Sequence, residues 1–75
     1  MITLKDMINL RPYCQVVVNN HKEIDFIDTC KHPENYIVSD MRVNGGKLEV
    51  LVNMKGELTW KFRENGFVGL QLREG

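Results

Sequence analysis

VNGGKLEVLVNMKGELTWKFRENGFVGL, residues 43–70, is the stretch whose reading decides the fold. Three turn signals, Asn44-Gly45, Lys55-Gly56 and Asn65-Gly66, separate runs in which apolar and polar residues alternate, the pattern of strands with one face turned to a core. A four-stranded antiparallel meander is predicted. Three-residue loops at Met54-Lys55-Gly56 and Glu64-Asn65-Gly66, with glycine in the left-handed position, set Val50 opposite Trp60 and Trp60 opposite Leu70. Leu48, Phe62 and Val68 then form the next apolar row. Two-residue loops there would oppose Val52 to Thr59 and Phe62 to Gly69, which breaks the apolar face. At the first turn a two-residue Asn44-Gly45 loop pairs Met41 with Leu48 and Ile37 with Val52. It places Ser39 inward beside Val50 and leaves Arg42 diagonal to Glu49. The other face carries Glu49 opposite Lys61 and Arg63 opposite Phe67.

Upstream, Thr3 is a helix cap, Asp6 stands where a capping box wants an acceptor, and Ile2 can close on Met7. Leu4, Met7, Ile8 and Leu10 form the buried stripe, and Pro12 stops the helix near Leu10. Residues 13–18 alternate, with Cys14, Val16 and Val18 inward. A polar turn at Asn19, Asn20 and His21 leads to a second strand at 23–27 with Ile24 and Phe26 inward, which predicts a second hairpin. Residues 28–35 show no periodicity and read as a loop or a single helical turn. The fold class is α+β, mostly β: a short N-terminal helix, a hairpin and the meander, either open or curled into a small barrel.

At 75 residues the chain reads as a single domain, 1–75. A chain of this length hides only about 60–65% of the surface its unfolded form exposes, so its stability margin is thin. Ten basic and ten acidic residues cancel, which argues against a phosphate-tracking nucleic-acid binder and equally against a polyanionic mimic of DNA. Residues 1–40 sum to −2 and residues 41–75 to +2, a weak dipole. Charges follow Met1 within four residues and no long apolar run occurs. A secretory leader or a membrane span is therefore not expected, and the expected location is the cytoplasm, with Cys14 and Cys30 as thiols.

Candidate chemistry is sparse. Cys14, His21, Cys30 and His32 are zinc-ligand types, but no two cysteines lie two to four apart and Cys14 alternates with core valines, so no metal is expected. Cys30 and His32 as nucleophile and base have no orienting carboxylate, and an enzyme is not expected. Glu23, Asp25 and Asp28 make an acidic ridge without the glycine of an ion loop. Gly45-Gly46 precedes a strand, so it builds no phosphate cradle, and no cofactor is expected.

The candidate binding residues are Arg42, Lys61, Arg63 and Phe67, with Leu51 and Tyr36 beside them, on the outer sheet face. Arginine next to an exposed aromatic and an aliphatic is the make-up of a protein-recognition centre. The same set could neutralise and stack on a nucleotide. A salt-bridged sheet surface is the plainer reading. Val17, Ile27, Val38, Leu51 and Phe67 are more apolar residues than a solvated face needs. Helix cover, curling or a second copy must bury them, and a homodimer is expected, joined through the open edge at 67–72 or by Val38, Leu51 and Phe67 face to face.

The segments MITLKDMINL (1–10), CQVVV (14–18), YIV (36–38) and GKLEVLV (46–52) resemble, in outline over residues 1–53, the small accessory proteins of bacteriophages and prophages of Gram-positive hosts. That resemblance implies a non-enzymatic protein that binds and blocks a host factor, including the anti-CRISPR and other anti-defence inhibitors. It assigns no residue roles. The alternatives are a homo-oligomeric sponge for a nucleotide signal and a structural or assembly subunit.

Overall fold

The computed structural model describes residues 1–23 and 25–70. The inward placement expected of Ile24 and the strand end expected at Leu72 lie outside the described residues.

The first helix, α1 (Leu4–Leu10), is held by a local device. Thr3 is extended, its Oγ1 accepts from the Asp6 N–H at 3.4 Å, and the Asp6 carboxylate accepts from the Thr3 N–H at 2.9 Å. Leu4 and Met7 are buried, whereas Leu10, expected in the stripe, is 38% exposed. It sits at the last turn, where its carbonyl accepts from Tyr13 and Cys14 and the chain swings away. Strand β1 (Gln15–Val18) follows, then a one-turn helix α2 (Phe26–Thr29), a 3₁₀ turn at Pro33–Asn35, and strands β2 (Tyr36–Asn44), β3 (Lys47–Met54), β4 (Thr59–Arg63) and β5 (Gly66–Leu70).

The predicted second hairpin does not form. β1 pairs parallel with β3, Val16 beside Leu48 and Val18 beside Val50, and the sheet order is β1-β3-β2. Within the strand expected at 23–27, Asp25 lies in a turn and Phe26 and Ile27 begin α2, where the Asp25 carbonyl accepts from the N–H groups of Asp28 and Thr29 and from the Thr29 hydroxyl. Hydroxyl and carboxylate side chains offer the backbone such local partners and so compete with a ladder.

The meander also divides. β2 and β3 are antiparallel in the first sheet, while β4 and β5 form a separate two-stranded ribbon, so there is no closed barrel. The turn after β3 has Gly56 in the left-handed region as expected, at φ +85°, and the Glu57 N–H donates to the Met54 carbonyl. Beyond it the chain does not extend the ladder. It folds the ribbon back across the outer sheet face, where β4 packs on β2 and β3.

Registers shift accordingly. The first hairpin turns on Gly45-Gly46, at φ +59° and +79°, so Asn44 pairs with Lys47, Arg42 directly with Glu49, and Met41 with Val50. Two consecutive positive φ values are what a primed two-residue turn requires, and only the Gly-Gly pair supplies both without strain. Ser39 is bulged out between Val38 and Asp40 and does not sit beside Val50. The ribbon turns on Glu64-Asn65, which sets Phe62 opposite Phe67, Trp60 opposite Gly69, Lys61 opposite Val68 and Arg63 opposite Gly66. The expected facing of Glu49 with Lys61, and of Arg63 with Phe67, is therefore absent.

The core lies between the helices and one sheet face: Leu4, Met7, Val16, Phe26, Val50 and Val52, with Val18, Tyr36, Val38 and Leu48 at its border. Leu51 is fully buried on the opposite face, outside that cluster, beneath the ribbon. Full burial of a Leu or Val side chain contributes about 1.5–3 kcal/mol, so both sheet faces stabilise the fold.

Three side chains complete pairings that the backbone leaves open. Asn20 Oδ1 accepts from the Val52 N–H at 3.1 Å while its Nδ2 donates to the Val52 carbonyl at 2.6 Å. The Ser39 hydroxyl donates to the Leu51 carbonyl and accepts from the Trp60 N–H. Asp40 accepts from the Phe62 N–H at 2.9 Å.

Candidate functional site

A groove of about 840 Å³ runs along β1, bounded by residues 21–23 and 26–28 on the helix side and by Arg42, Gly66 and Phe67 on the ribbon side. Val17 faces outward in the row of Glu49, because a parallel partner shares its face. Glu49 is the centre of that row. It accepts from Arg42 Nε at 2.7 Å and from Asn19 Nδ2 at 3.0 Å. Those hydrogen bonds, Asn19 first and Arg42 next, hold its carboxyl below the usual carboxylate range. The Arg42 guanidinium lies 4.2 Å over the Phe62 ring, so one side chain ties three strands together by an ion pair on one side and a cation–π contact on the other. Phe67 meets Trp60 edge to face, centroids 5.5 Å apart, and stays 40% exposed at the groove rim.

The six residues singled out in the sequence do not form one surface. Arg42 and Phe67 come together in the groove. Lys61 and Arg63 fall on the other face of the ribbon from Phe62 and Phe67, because strand neighbours alternate. Leu51 is fully buried and presents nothing to a ligand. Tyr36 is on the helix side: its ring stands edge-on to Phe26 at 5.3 Å and to His21 at 5.8 Å. The bulge at Ser39 is the cause, since it changes the facing of every residue before it.

His21 stacks flat on Phe26 at 3.7 Å. Burial lowers its pKa below the ordinary histidine value, and nearby Glu23 opposes that only in part. The acidic ridge is dispersed. Asp25 precedes α2, and Asp28 pairs with Arg11 across the groove floor. A smaller cavity of about 290 Å³ is lined by Cys30, His32, Tyr36 and Met54 among others. His32 turns its Nδ1 to Glu34 at 3.5 Å and is 70% exposed, and no hydrogen bond joins it to Cys30 among the described residues. No group of three or more His, Cys, Asp or Glu among the described residues is placed to hold a metal ion. No helix among them is long and apolar enough to cross a membrane.

Sequence reasoning missed Asn19, Glu49 and Phe62 as members of the site. The acid–base pairing of Arg42 with Glu49 was visible as a diagonal, but Phe62 was assigned to the core face, and nothing in the alternation says that the ribbon folds over. No protein-family model, curated protein or solved structure matches the chain.

Proposed function

We propose that the chain is a non-enzymatic binding protein that occupies and blocks a surface of another protein through the groove between residues 21–23 and 26–28 and the tip of the ribbon. The observation that carries this reading is a long groove with a half-exposed aromatic, Phe67, beside an arginine already fixed by Glu49 and Phe62. A pre-ordered arginine and aromatic lose little side-chain freedom on binding, which is what a recognition centre needs. The outline resemblance to phage accessory proteins supplies the partner class, a host factor. The nucleotide-sponge reading loses two of the three cations it relied on, because Lys61 and Arg63 fall on the other face of the ribbon from Phe67.

The test is recovery of a partner from a bacterial lysate by the immobilised chain, followed by two double variants. Phe67→Ala with Val17→Lys should abolish recovery, the lysine being accommodated opposite Glu49. Lys61→Ala with Arg63→Ala should leave it intact. The reverse pattern, in folded proteins, would move the site to the other face of the ribbon.

A further inference from the structure

Among the described residues β1 is an edge strand: it pairs with β3 and with no other strand. The Asn19 N–H donates to the Val50 carbonyl, and alternation along the strand therefore turns the N–H and C=O groups of Val16 and Val18 away from β3. Among the described residues no backbone group pairs with them. Natural edges are usually blunted by a lysine, a proline or a bulge. Residues 15–18, Gln-Val-Val-Val, carry none of these.

The groove identifies the occupant. It wraps this edge from both faces, with Phe26 and Ile27 on the helix side and Phe67 on the ribbon side. A second copy would have to bring its own two walls to the same edge along with its strand, within the roughly 4.8 Å of a ladder. A bare extended chain brings none. Phe26, Ile27 and Phe67 are the apolar members of the walls, Arg11 is paired with Asp28 and Arg42 with Glu49, and Lys22 and Glu23, one of each sign, add no net charge. An uncharged segment rich in β-branched and aromatic residues fits on both faces.

Resting on the reading of this groove as a protein-binding site, we infer that the free edge of β1 takes up one extended, uncharged, β-branched or aromatic segment of the partner as a fourth strand. Main-chain bonds to Val16 and Val18 would give affinity, and the two walls would select side chains.

A random peptide library panned on the full-length chain tests it. The expected yield is uncharged extended sequences without proline. A selected peptide, resynthesised with single N-methyl amides, should weaken about tenfold or more at alternate positions and be spared between them, since only every second amide faces the edge. The amides of Val16 and Val18 should exchange quickly in the free chain and slowly with peptide bound. Failure to enrich any peptide, sensitivity at consecutive or no positions, or unchanged exchange at both valines would overturn strand addition. Peptides that bind without the alternation but are lost in Phe67→Ala leave the binding-protein reading standing. Peptides indifferent to Phe67→Ala and Val17→Lys together remove both.

Discussion

Asn20 occupies with its side chain the rung that a longer β1 would fill with backbone, since Val18 stands beside Val50 and the Asn20 amide bonds both polar groups of Val52. Val52 is 1% exposed, so no water replaces a lost partner there. Asn20→Ala is expected to cost about 1–3 kcal/mol for the groups left unpaired, read as a lower urea midpoint at unchanged slope. Asn20→Asp at neutral pH should be no better, because it sets a carboxylate against the Val52 carbonyl. An alanine variant as stable as the parent would show that the amide pair contributes nothing. His21 gives a pH dependence of known sign. Its folded-state pKa is lowered from 6.5, so the unfolded chain binds the proton first. Stability contributed by the neutral ring is present above about pH 6.5 and lost as pH falls through that value toward the folded pKa. Denaturation between pH 7.5 and 5.5 should show the loss, and His21→Phe, which keeps a ring on Phe26, should flatten it. A parent that is insensitive over that range contradicts the assignment.

The β4–β5 ribbon is attached to the sheet by side chains as well as by apolar contact, through Ser39 on the Trp60 N–H and Asp40 on the Phe62 N–H. Replacing both Ser39 and Asp40 by alanine should speed exchange at the Trp60 and Phe62 amides by at least tenfold and shift the emission of the only tryptophan to the red, while the amides of β3 stay protected. Unchanged exchange would mean that Leu51 and its neighbours hold the ribbon unaided. This attachment also explains what could be read in advance. The capping box of α1 was legible because its partners are three residues apart, and strands β1 to β5 were legible from alternation. Their partnerships were not. Register depends on which two residues turn, and Gly45-Gly46 against Asn44-Gly45 changes what every residue of β2 opposes. A hydroxyl and a carboxylate standing in for a ladder leave no periodic trace. For the site, Arg42 and Phe67 were legible as an outer-facing pair, whereas Leu51 and Tyr36 were displaced by the fold-back and by the bulge.

Across the molecule, burial is divided between two faces of one small sheet. Val38 borders the helix-side core and Leu51 lies under the ribbon, so of the three residues expected to meet face to face in a dimer only Phe67 is exposed. The exposed apolar row is elsewhere: Met41 at 38% and Val43 at 77% exposure, beside Val50 and Leu48 on the helix side of the hairpin. Dimerisation is expected through this row. Light scattering over a dilution series should show a dimer mass at high micromolar concentration that falls on dilution and is absent in Val43→Lys. A monomer mass for the parent at high concentration excludes it. The parallel placement of β1 beside β3 has a consequence during synthesis. A valine triplet emerges early, but its partner β3 is the third strand to be made, and α2 and β2 lie in between. At about 5–20 residues per second the triplet waits roughly two to seven seconds, unpaired and sticky, before the strand that shelters it exists. Slow decoding of residues 19–54 should therefore send more nascent chain into aggregates than the same slowing placed after Met54.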